Sequence, residues 1–173
     1  MPDRPYHHGD LPRALVAAAL EVLDEVGPAA LSLREVARRA GVSHAAPAHH
    51  FGDKAGLLTA IAVEGFEMLI ADLATQDDFL DVGVAYVRFA VGHRAHFGVM
   101  FRPELQRRDD PALVEVKARA NALLYPPAGS VDAGVAAWSL VHGFATLWID
   151  DALPDLGDDA EAAVRRMAAR LRF

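Results

Sequence analysis

The sequence predicts an all-α fold, and three features predict it. Among 173 residues there are 34 Ala and 20 Leu but only 3 Ile and 3 Thr, a usage that favours helix and starves an extended sheet. Apolar residues recur at three- and four-residue spacing, one face of a helix at a time. Gly, Pro and Asp then punctuate those runs at helical lengths. With 53% hydrophobic residues the chain is too apolar to be disordered. Its uncharged stretches are broken by Gly, Pro or His before they reach bilayer length, so no membrane partner is expected.

In the first helix, Leu11, Leu15, Ala18, Ala19, Val22 and Val26 share a face. Asp10 is placed to cap it, Pro12 suits its first turn, and Gly27-Pro28 ends it. The second begins at Ser32-Leu33-Arg34-Glu35, a capping box flanked by Leu31 and Val36 as a hydrophobic staple, and stops at Ala40-Gly41. Ser43 is expected to cap a short third helix running to about His50, with Pro47 in its fourth position removing one backbone donor. Asp53 caps a long fourth helix through Leu57, Ile61, Phe66, Leu69 and Leu73. Further helices are expected over about residues 78–93 and 111–124, separated by a broken stretch over 96–103. After a Pro-rich loop, the last two helices span about 131–153 and 158–171. The final one is acidic at its start and Arg-rich at its end, as the helix dipole prefers.

The net charge of −7 would ordinarily argue against a polyanionic partner. Resolved by position, residues 1–56 hold six basic against seven acidic groups, while residues 57–173 hold eleven against seventeen. Five of the eight histidines, His7, His8, His44, His49 and His50, also fall in the first third. The absence of cysteine excludes disulfides, thiolate metal sites and cysteine nucleophiles. Residues 1–10 carry no apolar signal core, so a cytoplasmic location is expected. No Gly-rich phosphate loop, G-x-S-x-G elbow or His-Glu-x-x-His pair is present, and neither an enzyme nor a cofactor is expected. No metal is expected either. His7-His8 lack a fixed geometry, His44, His49 and His50 are wrongly spaced for one helix face, and His93 with His96 has no nearby carboxylate to complete a ligand set.

The second helix, the turn Gly41-Val42-Ser43 and the third helix have the proportions of a helix-turn-helix. Gly41 can take the left-handed conformation of a sharp turn, and Ala37, Ala40 and Val42 are small enough for two helices to pack closely. A structural αα-corner would use the same residues. The surroundings of this element are more specific. Tyr6-His7-His8-Gly9-Asp10-Leu11, the run from Leu31 to Ser43, and Phe51-Gly52-Asp53-Lys54-Ala55-Gly56-Leu57-Leu58 closely resemble the DNA-binding head of the TetR family of transcriptional regulators. Further on, Trp138-Ser139-Leu140-Val141-His142-Gly143 is similar to the Trp-x-x-x-His-Gly signature of one C-terminal subtype of that family.

The resemblance implies a DNA-binding domain over residues 1–56 and a ligand-binding and dimerisation domain over 57–173. It further implies a homodimer joined through the last two helices, which binds a palindromic double-stranded operator as a repressor and is released by a small-molecule effector. Ser43 to His50 would be the recognition helix, with His44, Ala45 and Ala46 at base edges, and His49 and His50 further along. Lys54, Arg34 and Arg4 would hold the DNA backbone, with Arg38 or Arg39 as further candidates. Head histidines gaining charge below about pH 6.5 would strengthen the association. For the effector pocket the candidates are Phe66, Tyr86, Phe89, His93, Met100, Phe101, Trp138 and His142. The bland alternative makes the aromatic residues core and His142 a buried hydrogen-bonding group. The acidic body hints at a cationic or neutral ligand. One departure is Ala48, where the family usually carries a Tyr whose hydroxyl meets a phosphate, a loss of about 1 kcal/mol. It invites the alternative of a binding or interaction module with a degenerate head.

Overall fold

The computed structural model describes residues 11–125, 130–157 and 159–170. Among these there are nine α-helices, one short 3-10 turn and no strand, and no helix is long and apolar enough to cross a membrane. Asp10, the expected cap of the first helix, lies outside the described residues. Helix α1 runs over Leu11–Ala30 and is interrupted at Gly27, whose φ of 72° and ψ of 174° leave Pro28 to start a separate closing turn. Helix α2, Leu33–Arg39, is capped as its sequence demands: the Ser32 hydroxyl accepts from the Glu35 amide at 3.2 Å.

Helix α3, Ala46–Phe51, differs from its expectation. The chain turns through His44 and Ala45, so Ser43 contributes its backbone carbonyl to the Ala46 amide at 3.0 Å and its side chain caps nothing. Pro47 consequently sits in the first turn, where an amide has no intrahelical acceptor, and it removes no ladder bond. It is buried and serves as packing for the head.

Helix α4, Lys54–Leu73, starts at Asp53, whose carboxylate accepts from the Gly56 amide at 2.8 Å. Helix α5 covers Phe79–Gly92 behind its cap Asp78. The stretch expected to be broken is instead helix α6, Arg94–Met100, followed by the 3-10 turn Pro103–Leu105. Its seven residues were obscured by His93 before it and by His96 and Gly98 within it, but Phe97 and the capping residue Phe101 stand four residues apart, one turn along the same side. Helix α7, Pro111–Leu124, is capped by Asp110, and helix α8, Val131–Ile149, by Ser130. The latter stops four residues before its expected end because Asp151 turns the chain at a φ of 52°. Helix α9, Ala160–Ala168, begins behind the cap Asp159.

Two layers share α4. Helices α1, α2 and α3 close over its first turns, where Leu15, Val22, Leu31, Val36, Leu57 and Leu58 are at most 2% exposed. Helices α5, α6 and α7 pack along the remainder, around Ile61, Phe66, Leu69 and Leu73, and α8 and α9 lie on α5. The approaches are tight. A Cβ at Gly65 would stand 2.6 Å from the Met100 sulfur, and one at Gly56 would stand 1.9 Å from the Phe51 carbonyl oxygen. Because the second clash is with backbone, a Gly56→Ala chain must reopen the α3–α4 corner. Denaturant unfolding should show a loss of about 1–3 kcal/mol, and an unchanged midpoint would contradict this packing.

Candidate nucleic-acid interface and effector cavity

The corner between α2 and α3 is built by the backbone. The Ala40, Gly41 and Val42 amides donate to the Val36, Arg38 and Ala37 carbonyls at 2.9, 3.3 and 3.0 Å, and Gly41 takes a φ of 67°, a conformation costly for residues with a Cβ. This geometry sets α3 on the surface. Ser43, His44, Ala45, Ala48, His49 and His50 are exposed, Ala46 is half-buried, and the His49 and His50 rings meet edge to face at 5.5 Å. Seven of the nine residues proposed from sequence to meet DNA thus belong to this surface or its flank: Ser43, His44, Ala45, Ala46, His49, His50 and Lys54.

The cations divide by partner. Arg39 is bound by Glu25 of α1 and by Glu35, the latter at 3.0 Å, and Arg38 is held by Glu35 at 2.6 Å. These guanidiniums hold the Glu35 carboxyl at about 2, so the cluster stays ionised and ties α2 to α1. Arg39 is therefore a structural group. Arg34, on the exposed side of the same helix, has no side-chain partner among the described residues. Lys54 donates to the Ala29 carbonyl at 3.0 Å, closing the turn after Gly27 against the start of α4. Arg4 lies outside the described residues. A cation overlooked in the sequence, Arg107, reaches from the body to Asp53 at 3.0 Å, while its amide donates to the Thr59 hydroxyl at 2.9 Å. Only long-range folding brings it there.

Within the body, five of the eight pocket candidates converge. The indole of Trp138 donates to the Tyr86 hydroxyl at 3.2 Å, and that hydroxyl lies 2.8 Å from His142 Nδ1. The indole can only donate, and His142 Nδ1 is the one described acceptor for the phenol's own hydrogen; pairing them assigns the tautomer with the imidazole hydrogen on Nε2. Phe101 stands 4.8 Å from the His142 ring and 5.4 Å from that of Phe66. Phe97, missed because its helix was not foreseen, stacks 5.2 Å from His142. Burial holds the Tyr86 phenol above its ordinary pKa and the His142 imidazole below its own. A cavity of about 250 Å³ opens beside this cluster, lined by Arg94, Phe97, Gly98, Phe101, Arg102, His142, Thr146, Ile149 and Asp150.

The other three candidates point elsewhere. Met100 is fully buried against Gly65. Phe89 packs on His93 at 5.0 Å, and His93 lines a separate cavity with Leu20, Asp24 and His96. His96 is buried, with Nε2 3.3 Å from a Glu64 carboxylate oxygen.

Two family models match the chain. That for bacterial regulatory proteins of the tetR family covers residues 15–61, and that for the tetracyclin repressor-like C-terminal domain covers residues 79–171. The chain belongs to the TetR family. It is a TetR-family transcriptional regulator, and its helix-turn-helix is the family's DNA-binding element. Over 67 residues it is 42% identical to the HTH-type transcriptional regulator BetI of Ectopseudomonas mendocina, a match that covers 39% of this chain and spans only 34% of that relative. A protein of unknown function from Rhodococcus sp. RHA1 superposes with a TM-score of 0.78 at 32% identity over 96% of both chains. The TetR family regulator PfmR of Thermus thermophilus superposes at 0.66 with 21% identity, over 90% of this chain and 94% of that one, which shows the shared fold alone.

Two outcomes follow from the buried TetR-family body. Tyr86→Phe leaves the Trp138 indole and His142 Nδ1 without their shared partner and should cost about 1–3 kcal/mol in thermal or denaturant unfolding. The second concerns pH. Burial lowers the His96 and His142 pKa values, with Glu64 partly opposing the shift at His96. The unfolded chain therefore binds more protons below about pH 6.5. Stability from these groups is complete above that pH and declines as it falls toward their folded values. The melting temperature should be lower near pH 5.5 than near pH 7.5, and a His96→Gln, His142→Gln double variant should flatten the difference.

Proposed function

We propose that this chain is a ligand-responsive repressor that binds a palindromic operator as a homodimer and is released by a small molecule. The observation that carries the reading is the union, through α4, of an exposed recognition helix and an aromatic cavity. Residues 1–56 would form the DNA-binding domain and residues 57–173 the effector and dimerisation domain. Ser43, His44, Ala45 and Ala46 would approach base edges, with the alanine methyls suited to thymine, and His49 and His50 would follow along the groove. Arg34 and Lys54 would bind phosphates, Lys54 exchanging or sharing its bond to Ala29. The exposed His44, His49 and His50 would add hydrogen-bond donors to a head in which Glu25 and Glu35 engage Arg38 and Arg39.

Dimerisation is supported by the outer face of α8. Val131, Val135 and Leu147 are 70%, 44% and 45% exposed, and a Cβ at Gly143, three and two turns on from the first two, would touch nothing among the described residues. A second copy would cover this stripe, with α9 alongside. An effector that binds better to one spacing of the two heads shifts the population toward it and changes operator affinity by the same factor. A DNA-bound regulator of this kind acts in the cytoplasm. A second reading, a binding module with a degenerate head, is favoured by Ala48 and by the engagement of Arg39.

Fluorescence anisotropy with DNA from the protein's own promoter region separates the two. Arg34→Ala and Lys54→Ala should each weaken binding about fivefold and reduce the salt slope by about one. No retained DNA at low salt, or variants indistinguishable from the parent, would favour the degenerate head.

A further inference from the structure

The cavity between α6 and α8 has a chemical character opposite to that of the body around it. Residues 57–173 carry eleven basic against seventeen acidic groups, yet the cavity wall holds Arg94 and Arg102 against a single carboxylate, Asp150. Both arginines are exposed, and neither side chain has a hydrogen-bond or ion-pair partner among the described residues. Between them in sequence lie Phe97, Gly98 and Phe101, which supply an aromatic wall.

Gly98 bears on what fills the space. It lies inside α6, where Ala is the better helix former, and a Cβ built on it meets nothing within 4 Å. No packing among the described residues accounts for a residue without a side chain at this point of the wall. The opposite wall supplies a donor. In the tautomer that lets the Tyr86 hydroxyl donate to His142 Nδ1, Nε2 carries the hydrogen, and no described group accepts it.

From this arrangement we infer that the cavity binds a ring-bearing organic carboxylate, its ring against Phe97 and Phe101 beside Gly98 and its anionic end held by Arg94 and Arg102, with His142 Nε2 donating to an acceptor on the ligand. Guanidinium pairs planar carboxylate oxygens in bidentate geometry. A cation would meet two guanidiniums and a neutral imidazole that presents its hydrogen. The inference rests on the effector-responsive reading and names the effector's class; the acidity of the whole body does not describe this wall.

Isothermal titration calorimetry of the full chain, without DNA, tests the assignment with benzoate and 2-naphthoate, their amides, and 2-naphthylmethylammonium. At least one carboxylate should bind about tenfold more tightly than its amide, and the ammonium should bind more weakly than either. An Arg94→Gln, Arg102→Gln double variant should abolish that preference while leaving the affinity for the amide within about twofold. Gly98→Val should displace all ring-bearing probes while the circular dichroism spectrum keeps its helical form. Equal binding of carboxylate and amide, tighter binding of the ammonium, a preference that survives loss of both arginines, or no binding of either carboxylate to folded protein would each overturn the inference. Because DNA is absent, these outcomes leave the operator reading standing. Carboxylate binding by a chain that retains no promoter DNA would instead overturn the regulatory reading alone.

Discussion

Everything in this fold is built on one helix that belongs to both of its cores. Along α4, Leu57, Leu58, Ile61, Ala62, Phe66, Leu69 and Leu73 are each at most 4% exposed, and they close first the head core and then the body core. Gly56 and Gly65 bring neighbouring elements into contact with its backbone. Side chains packed to this density cannot be displaced singly, so movement of the helix is shared by the elements on both sides. The segment after α6 fastens this joint. Gln106, itself buried, donates to the Val99 and Met100 carbonyls and accepts from Lys117, and the next amide donates to Thr59 on α4. The end of the helix that borders the cavity is thus tied to the first turns beneath the recognition element.

What was legible in the sequence is local. The Ser32 cap, the Asp53 cap and the interruption at Gly27 are encoded within a few residues, and each is found where its chemistry places it. The reciprocal half of the expected capping box is not formed, because the Glu35 carboxylate accepts from Arg38 and Arg39 instead. What escaped reading depends on distant partners. Helix α6 is too short for periodicity to announce, and it is held by packing against α1 and α4. Ser43 has the composition of a cap, but the two-residue turn after it moves the helix start beyond its reach. Arg39 reads as a surface cation until folding sets Glu25 beside it, fourteen residues away.

The same distinction divides the functional residues. The exposed face of α3 follows from a contiguous motif, and seven positions named from sequence lie on or beside it. The cavity is assembled from α6, α8 and the residues that follow each, and of its nine lining residues only Phe101 and His142 are named from sequence, because the rest come together only when these helices are set side by side. Tyr86, Trp138 and His142 were individually suspect, as core or as pocket. Their hydrogen-bond chain gives them both characters, since it satisfies the buried Tyr86 hydroxyl and joins it to two half-buried rings, one of which borders the cavity.

That chain also gives the protein an optical property. The chain has two tryptophans, and their surroundings differ: Trp148 packs on Phe144 at 5.6 Å, whereas the Trp138 indole hydrogen is engaged by Tyr86 and its ring lies 5.2 Å from an imidazole. Indole emission responds to hydrogen bonding and to nearby quenching groups. A Trp148→Phe chain would therefore carry a single tryptophan inside the network that borders the cavity, and events there could be followed in real time, without a label, by selective indole excitation.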